Sequence, residues 1–78
     1  MVRLYYIPTC HHCIDARKFL NQQGIEFEEI NITKDREGLA RMKNLTQQMG
    51  VPVIEVGEKI LIGFDRKKLE TALNSRQN

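Results

Sequence analysis

The chain has no tryptophan, only five other aromatic residues and only two cysteines in 78 residues, and each scarcity excludes something. Small secreted domains with thin cores are held together by several disulfides. Two cysteines are too few for that, and Cys10 and Cys13 are separated by only two residues. A bridge between them closes almost no loop and removes little unfolded-chain entropy, so the pair is no structural staple. The charge balance is 12 basic against 10 acidic residues, with no basic cluster denser than Arg66-Lys67-Lys68. Nucleic-acid binding needs a denser basic stripe and aromatic rings for stacking, so the composition argues against it. No apolar run approaches membrane-spanning length. The strand-like start Met1-Val2-Arg3-Leu4-Tyr5-Tyr6 reaches Cys10 without the apolar region or cleavage site of a signal peptide. The expected location is therefore the reducing cytoplasm, with no membrane or nucleic-acid partner.

At this length one domain over residues 1–78 is expected, burying about 60% of the unfolded surface. No linker, repeat or low-complexity tract interrupts it. Val2 to Ile7 is apolar apart from Arg3 and stops at Pro8, which predicts a first strand buried on both faces. From Cys13 to Gln23, Ala16, Phe19 and Leu20 recur at helical spacing, and Gly24 is placed to cap the helix end. Phe27 to Ile32 predicts a second strand. Asp35 to Met49 carries Leu39, Met42, Leu45 and Met49 as an amphipathic stripe, which predicts a helix ended by Gly50 with Met42 and Met49 in the core. Pro52 to Val56, the turn Gly57-Glu58 and Lys59 to Ile62 form a hairpin pattern. Gly63-Phe64 makes a corner, and Asp65 caps a last helix bearing Leu69 and Leu73, a role that suits it better than catalytic acid. The order βαβαββα implies one parallel pair and one antiparallel hairpin, hence an α/β fold with a mixed four-stranded sheet flanked by helices.

The chemistry concentrates in Cys10-His11-His12-Cys13, between the first strand and the first helix. With Cys10 at the helix N-cap, its sulfur faces unpaired N–H groups and the positive end of the helix dipole, both of which favour thiolate. Cys13 lies one turn in, close enough to form a disulfide with little backbone movement. The chemistry that follows is exchange: Cys10 attacks a substrate disulfide, and Cys13 then attacks Cys10. A lone C-x-x-C is also half a zinc site. Here no second such pair and no later histidine follows. Four consecutive ligand residues cannot wrap one ion tetrahedrally, so a metal would need a second chain, and beside a βαβ pattern the pair points to redox chemistry. His11 and His12 lie between the two sulfurs, where a positive charge would act on the thiolate; they are candidate tuning residues. Val51-Pro52, on its residues alone, is a strand start.

Three segments carry a family resemblance: Pro8-Thr9-Cys10-His11-His12-Cys13, Gln48-Met49-Gly50-Val51-Pro52-Val53 and Ile62-Gly63-Phe64-Asp65. In order and spacing they resemble the glutaredoxin-like redoxins of the thioredoxin superfamily, especially the short prokaryotic type that includes NrdH-redoxins and YruB-type proteins. The resemblance extends from Val2 to about Leu73 and implies a thioredoxin fold. It implies that the Val51-Pro52 bond is cis, beside the active-site sulfurs, with the Val51 backbone pairing with the bound substrate. It also assigns substrate contact to Thr9, Pro52, Gly63, Phe64 and Asp65. Glutathione-using members usually carry Lys or Arg where this chain has Ile7, Thr where it has Gly50, and two glycines before the aspartate where it has Gly63-Phe64. Each change alters a contact to the tripeptide's charged ends, and Gly63-Phe64 is closer to members reduced by thioredoxin reductase.

These features together imply a monomeric thiol–disulfide oxidoreductase that reduces protein disulfides. Its only redox group is the Cys10–Cys13 disulfide, and either a thioredoxin-reductase-like enzyme or glutathione re-reduces it. Two alternatives remain at this stage: a dedicated electron donor to ribonucleotide reductase, and a metal or iron–sulfur carrier in which two chains share an ion or cluster through Cys10.

Overall fold

The computed structural model describes residues 1–75; the last three residues of the expected domain, 76–78, lie outside the described residues. Along the chain run β1 (Val2–Tyr6), α1 (His11–Gln22), β2 (Glu28–Asn31), α2 (Arg36–Thr46), β3 (Val53–Val56), β4 (Lys59–Ile62) and α3 (Arg66–Ser75). The strands form one sheet in the order β2-β1-β3-β4. β1 pairs with β2 in parallel, while β3 is antiparallel to both β1 and β4. This is the mixed α/β architecture expected from the sequence.

Side-chain alternation along the strands divides the core in two. Val2 and Leu4 of β1 and Ile54 and Val56 of β3 face Ala16, Phe19 and Leu20 of α1 and Leu69, Ala72 and Leu73 of α3. On the opposite face Tyr5, Ile30 and Val53 pack with Met42 of α2. β1 is an interior strand and contributes to both clusters, which is why its sequence reads as apolar on both faces.

Several local signals act as expected. Gln23 is the C-cap of α1, and Gly24 follows at φ 67°, a left-handed conformation that costs glycine nothing. The Asp65 carboxylate accepts from the Lys68 N–H at 3.1 Å at the start of α3. α2 departs from expectation: it ends at Thr46, not Met49. Gln47 turns left-handed at φ 57° and its N–H closes on the Lys43 carbonyl at 2.8 Å. The Gln48 side chain then accepts from the Gly50 N–H at 2.6 Å and donates to the Gly50 carbonyl at 3.0 Å, fixing a tight loop. Residues 47–52 are used to carry the chain to the start of β3. Met49 is therefore 53% exposed and Leu45 is exposed as well, whereas Met42 is fully buried as expected.

The buried polar centre of the α2 face has no local sequence signature. Glu55 on β3 is 4% exposed. It accepts from the Tyr5 hydroxyl at 2.8 Å, from Arg41 Nη2 of α2 at 2.8 Å and from Arg3 Nη1 at 3.2 Å. Arg41 Nε also donates to the Tyr5 oxygen at 3.0 Å. Burial alone would raise the Glu55 carboxyl, but the bonds from Arg41 and Tyr5 outweigh it and hold it below its ordinary value. A carboxyl held low in the folded state stabilises the fold above its unfolded pKa and loses that contribution as pH falls through the folded one. Glu55→Gln should therefore cost about 1.5–3 kcal/mol at pH 7, the range for a hydrogen bond to a charged group. The gap from wild type should narrow below the ordinary carboxyl value of 4.5, as urea unfolding at pH 7 and in acid would show. An equal gap at both pH values would contradict it.

Candidate active site

β1 ends at Tyr6, and four residues later Cys10 becomes the N-cap of α1. The Cys10 sulfur accepts from the Cys13 backbone N–H at 3.2 Å, the capping bond that Ser or Asp oxygens make elsewhere. An N–H aimed at the sulfur is the donor that a thiolate accepts. Both cysteines are free thiols, Cys10 partly exposed and Cys13 1% exposed. Burial, and then the bond to Cys10, push the Cys13 thiol up to about 12; a backbone hydrogen bond from Ile7 and the charge of Arg17 act in the opposite direction. The site therefore pairs a reachable sulfur with a shielded one held as thiol.

The loop before β3 completes the surroundings. The Val51-Pro52 peptide is cis, as the family resemblance implied. The Val51 carbonyl faces Cys10, which donates to it across a long 3.9 Å contact. Pro52 is buried, and its carbonyl accepts from the Gly63 N–H at 2.8 Å, tying the corner after β4 to this loop. Cys10, Cys13, Val51, Pro52 and Gly63 thus form one connected group. Thr9, His11 and His12 lie exposed beside Cys10 in sequence. Phe64 is half-buried, its ring 5.9 Å from that of Phe19 in the α1–α3 core, and Asp65 is engaged at the start of α3. Among the described residues no group of three or more His, Cys, Asp or Glu is placed to hold a metal ion, and no helix is long and apolar enough to cross a membrane.

One feature near the sulfurs lay outside the sequence-based candidates. Arg17 of α1 donates from Nε to Glu29 of β2, and its guanidinium carbon lies 4.8 Å from the centre of the Tyr6 ring. Its position four residues after Cys13 was the available signal.

A parallel βαβ unit followed by an antiparallel hairpin and helix, with a dithiol at the start of the first helix, defines a thioredoxin-fold redoxin. The sequence matches the glutaredoxin family over residues 2–61, and the chain belongs to that family. It is 31% identical over 70 residues to an uncharacterized glutaredoxin-like 8.6 kDa protein in the rubredoxin operon of Clostridium pasteurianum, covering 90% of this chain and 93% of that one. Its structure is similar to the crystal structure of the glutaredoxin from Archaeoglobus fulgidus, with a TM-score of 0.83, 30% identity, and coverage of 92% of this chain and 84% of the other. The fold is also shared with the NrdH-redoxin from Escherichia coli, with a TM-score of 0.80 at 20% identity over 90% and 91% of the two chains.

The elevated Cys13 thiol has a consequence for stability. A group whose pKa is raised on folding stabilises the fold below its ordinary value and loses that contribution as pH rises through the folded one. The reduced protein should lose stability between pH 9.0 and about 12 as Cys13 ionises, more steeply than Cys13→Ala measured the same way without air. Parallel losses in the two proteins would contradict the shift.

Proposed function

We propose that this chain is a monomeric, cytoplasmic dithiol carrier that reduces protein disulfides. The reading is carried by one observation: a partly exposed Cys10 sulfur at the α1 N-cap, accepting the Cys13 N–H at 3.2 Å, with the Cys13 thiol buried behind it. The Cys10 thiolate attacks one sulfur of the substrate disulfide. That S–S bond breaks, a Cys10–substrate bond forms, and the departing sulfur takes a proton. Cys13 then gives up its proton and attacks Cys10 Sγ, releasing the second substrate thiol and leaving a Cys10–Cys13 disulfide. Two electrons pass to the substrate, and the reaction runs on these two sulfurs without a further cofactor.

The half-buried Val51, whose carbonyl faces Cys10, and Gly63 are the surface against which the substrate chain lies, with Pro52 buried beneath them and Thr9 and Phe64 at its margins. His11 and His12 tune the exposed sulfur when protonated. Ile7 offers no charge to a tripeptide carboxylate, and the Asp65 carboxylate is already engaged by the Lys68 N–H. Both features favour a thioredoxin-reductase-like electron donor over glutathione.

With NADPH and thioredoxin reductase as the electron source, wild type should reduce insulin disulfides and Cys10→Ser should fall to background. Cys13→Ser should accumulate a mixed disulfide with the substrate, visible by intact mass. Activity of Cys10→Ser, or trapping by it in place of Cys13→Ser, would overturn the assignment.

A further inference from the structure

We infer that Arg17, held in place by Glu29 and Tyr6, is a positioning residue for the second half of the exchange. Its fixed positive charge favours ionisation of Cys13 as that thiol attacks the mixed disulfide. The inference rests on the exchange proposed above and adds a residue to it.

Arg17 follows Cys13 by four residues in α1, so the two side chains share a helix face. Helical side chains lean toward the N-terminus, which directs Arg17 back over the turn that holds Cys13. A surface arginine samples many rotamers, but this one is held on two sides: Nε donates to Glu29 on β2, and the guanidinium stacks 4.8 Å from the Tyr6 ring centre on β1. The charge therefore occupies a defined place on the helix face it shares with a thiol that is 1% exposed, where water does little to stabilise a thiolate.

The other groups around Cys13 do not supply this charge. Cys10 is the sulfur to be attacked; β1 offers the Tyr6 ring, and the loop after it the Ile7 backbone. The loop before β3 offers the Val51 carbonyl and Pro52. On α3, Arg66 is drawn to the Phe19 ring, 5.2 Å away, and to Glu70. His11, His12 and Asp15 lie exposed on α1. Burial and the bond to Cys10 keep Cys13 a thiol at rest; the charge of Arg17, paired with Glu29, acts in the opposite direction and eases formation of the thiolate. In the step itself the Cys13 proton passes to the departing substrate sulfur, the Cys13–Cys10 bond forms and the Cys10–substrate bond breaks.

Two readouts test this. In a Cys10→Ser background Cys13 titrates alone, and the NMR shift of its β-carbon against pH gives its pKa. Arg17→Met should raise that pKa by about 0.5–1 pH unit, which is about a three- to ten-fold loss of thiolate at neutral pH. Glu29→Gln keeps an acceptor for Arg17 Nε and removes the opposing charge, so it should lower the pKa. Arg17→Lys should restore most of the wild-type value. In proteins with both cysteines, an aromatic nitrobenzoate disulfide releases one coloured thiolate on attack by Cys10 and a second on attack by Cys13. The second phase should slow by about two- to four-fold in Arg17→Met, because a more basic thiolate is also more nucleophilic and recovers part of the loss. The first phase should be unchanged.

A tether of α1 to β2 without an electrostatic role would lower stability in Arg17→Met and Glu29→Gln alike and leave the titration in place; that result overturns the inference. So does a shifted titration with an unaltered second phase. If wild type shows no second phase at all, the proposed exchange fails, and the Cys10→Ser titration still reports separately on the effect of Arg17.

Discussion

α1 begins where the Cys13 N–H closes on the Cys10 sulfur, and the arrangement of the site follows from that one capping bond. It leaves Cys10 at the surface and sets Cys13 one turn deeper, against the sheet. Ala16, Phe19 and Leu20 then recur along the same helix and anchor it in the larger core cluster. The hydrophobic face that holds the helix down is thus also what buries the second sulfur. Two thiols three residues apart acquire different environments from the geometry of a single helix start, and the chemistry of sequential attack needs that difference.

The opposite face of the sheet serves the same site from behind. Glu55 gathers Tyr5, Arg41 and Arg3, and this network joins α2 to β1 and β3. Once α2 is fixed, its early end at Thr46 and the left-handed Gln47 aim the following loop back toward the sulfurs, where Val51 meets Cys10. The Gly63–Pro52 bond holds that loop from the β4 side. The active site is the point where two cores, each built on one face of the sheet, present their connecting loops to each other.

Legibility in the sequence tracks the range of the interactions. The dithiol at a helix start, the Gly57-Glu58 turn and the Asp65 cap depend on contacts within four residues, and each was legible. The end of α2 was not. Leu39, Met42, Leu45 and Met49 keep helical spacing straight through the true boundary, and the stop is made by a left-handed Gln47 and by Gln48 gripping Gly50, side chains that carry no stop signal of their own. Glu55 gave no sign either: its partners lie 14, 50 and 52 residues away, and a charged residue in a hairpin reads as solvent-facing until Arg41 and Arg3 are placed beside it. Cis Val51-Pro52 came from the family resemblance, because its residues alone suggested only a strand start. Arg17 falls between these cases, with its spacing from Cys13 visible and its contacts to Glu29 and Tyr6 hidden.

The central claim is that the two sulfurs are inequivalent, Cys10 reactive and Cys13 shielded. Its most direct test is the rate of alkylation of each cysteine in the reduced wild-type protein at pH 7, resolved by peptide mass after quenching at intervals. Cys10 should be modified first, with Cys13 remaining thiol until Cys10 is consumed. Equal rates, or faster modification of Cys13, would contradict the account.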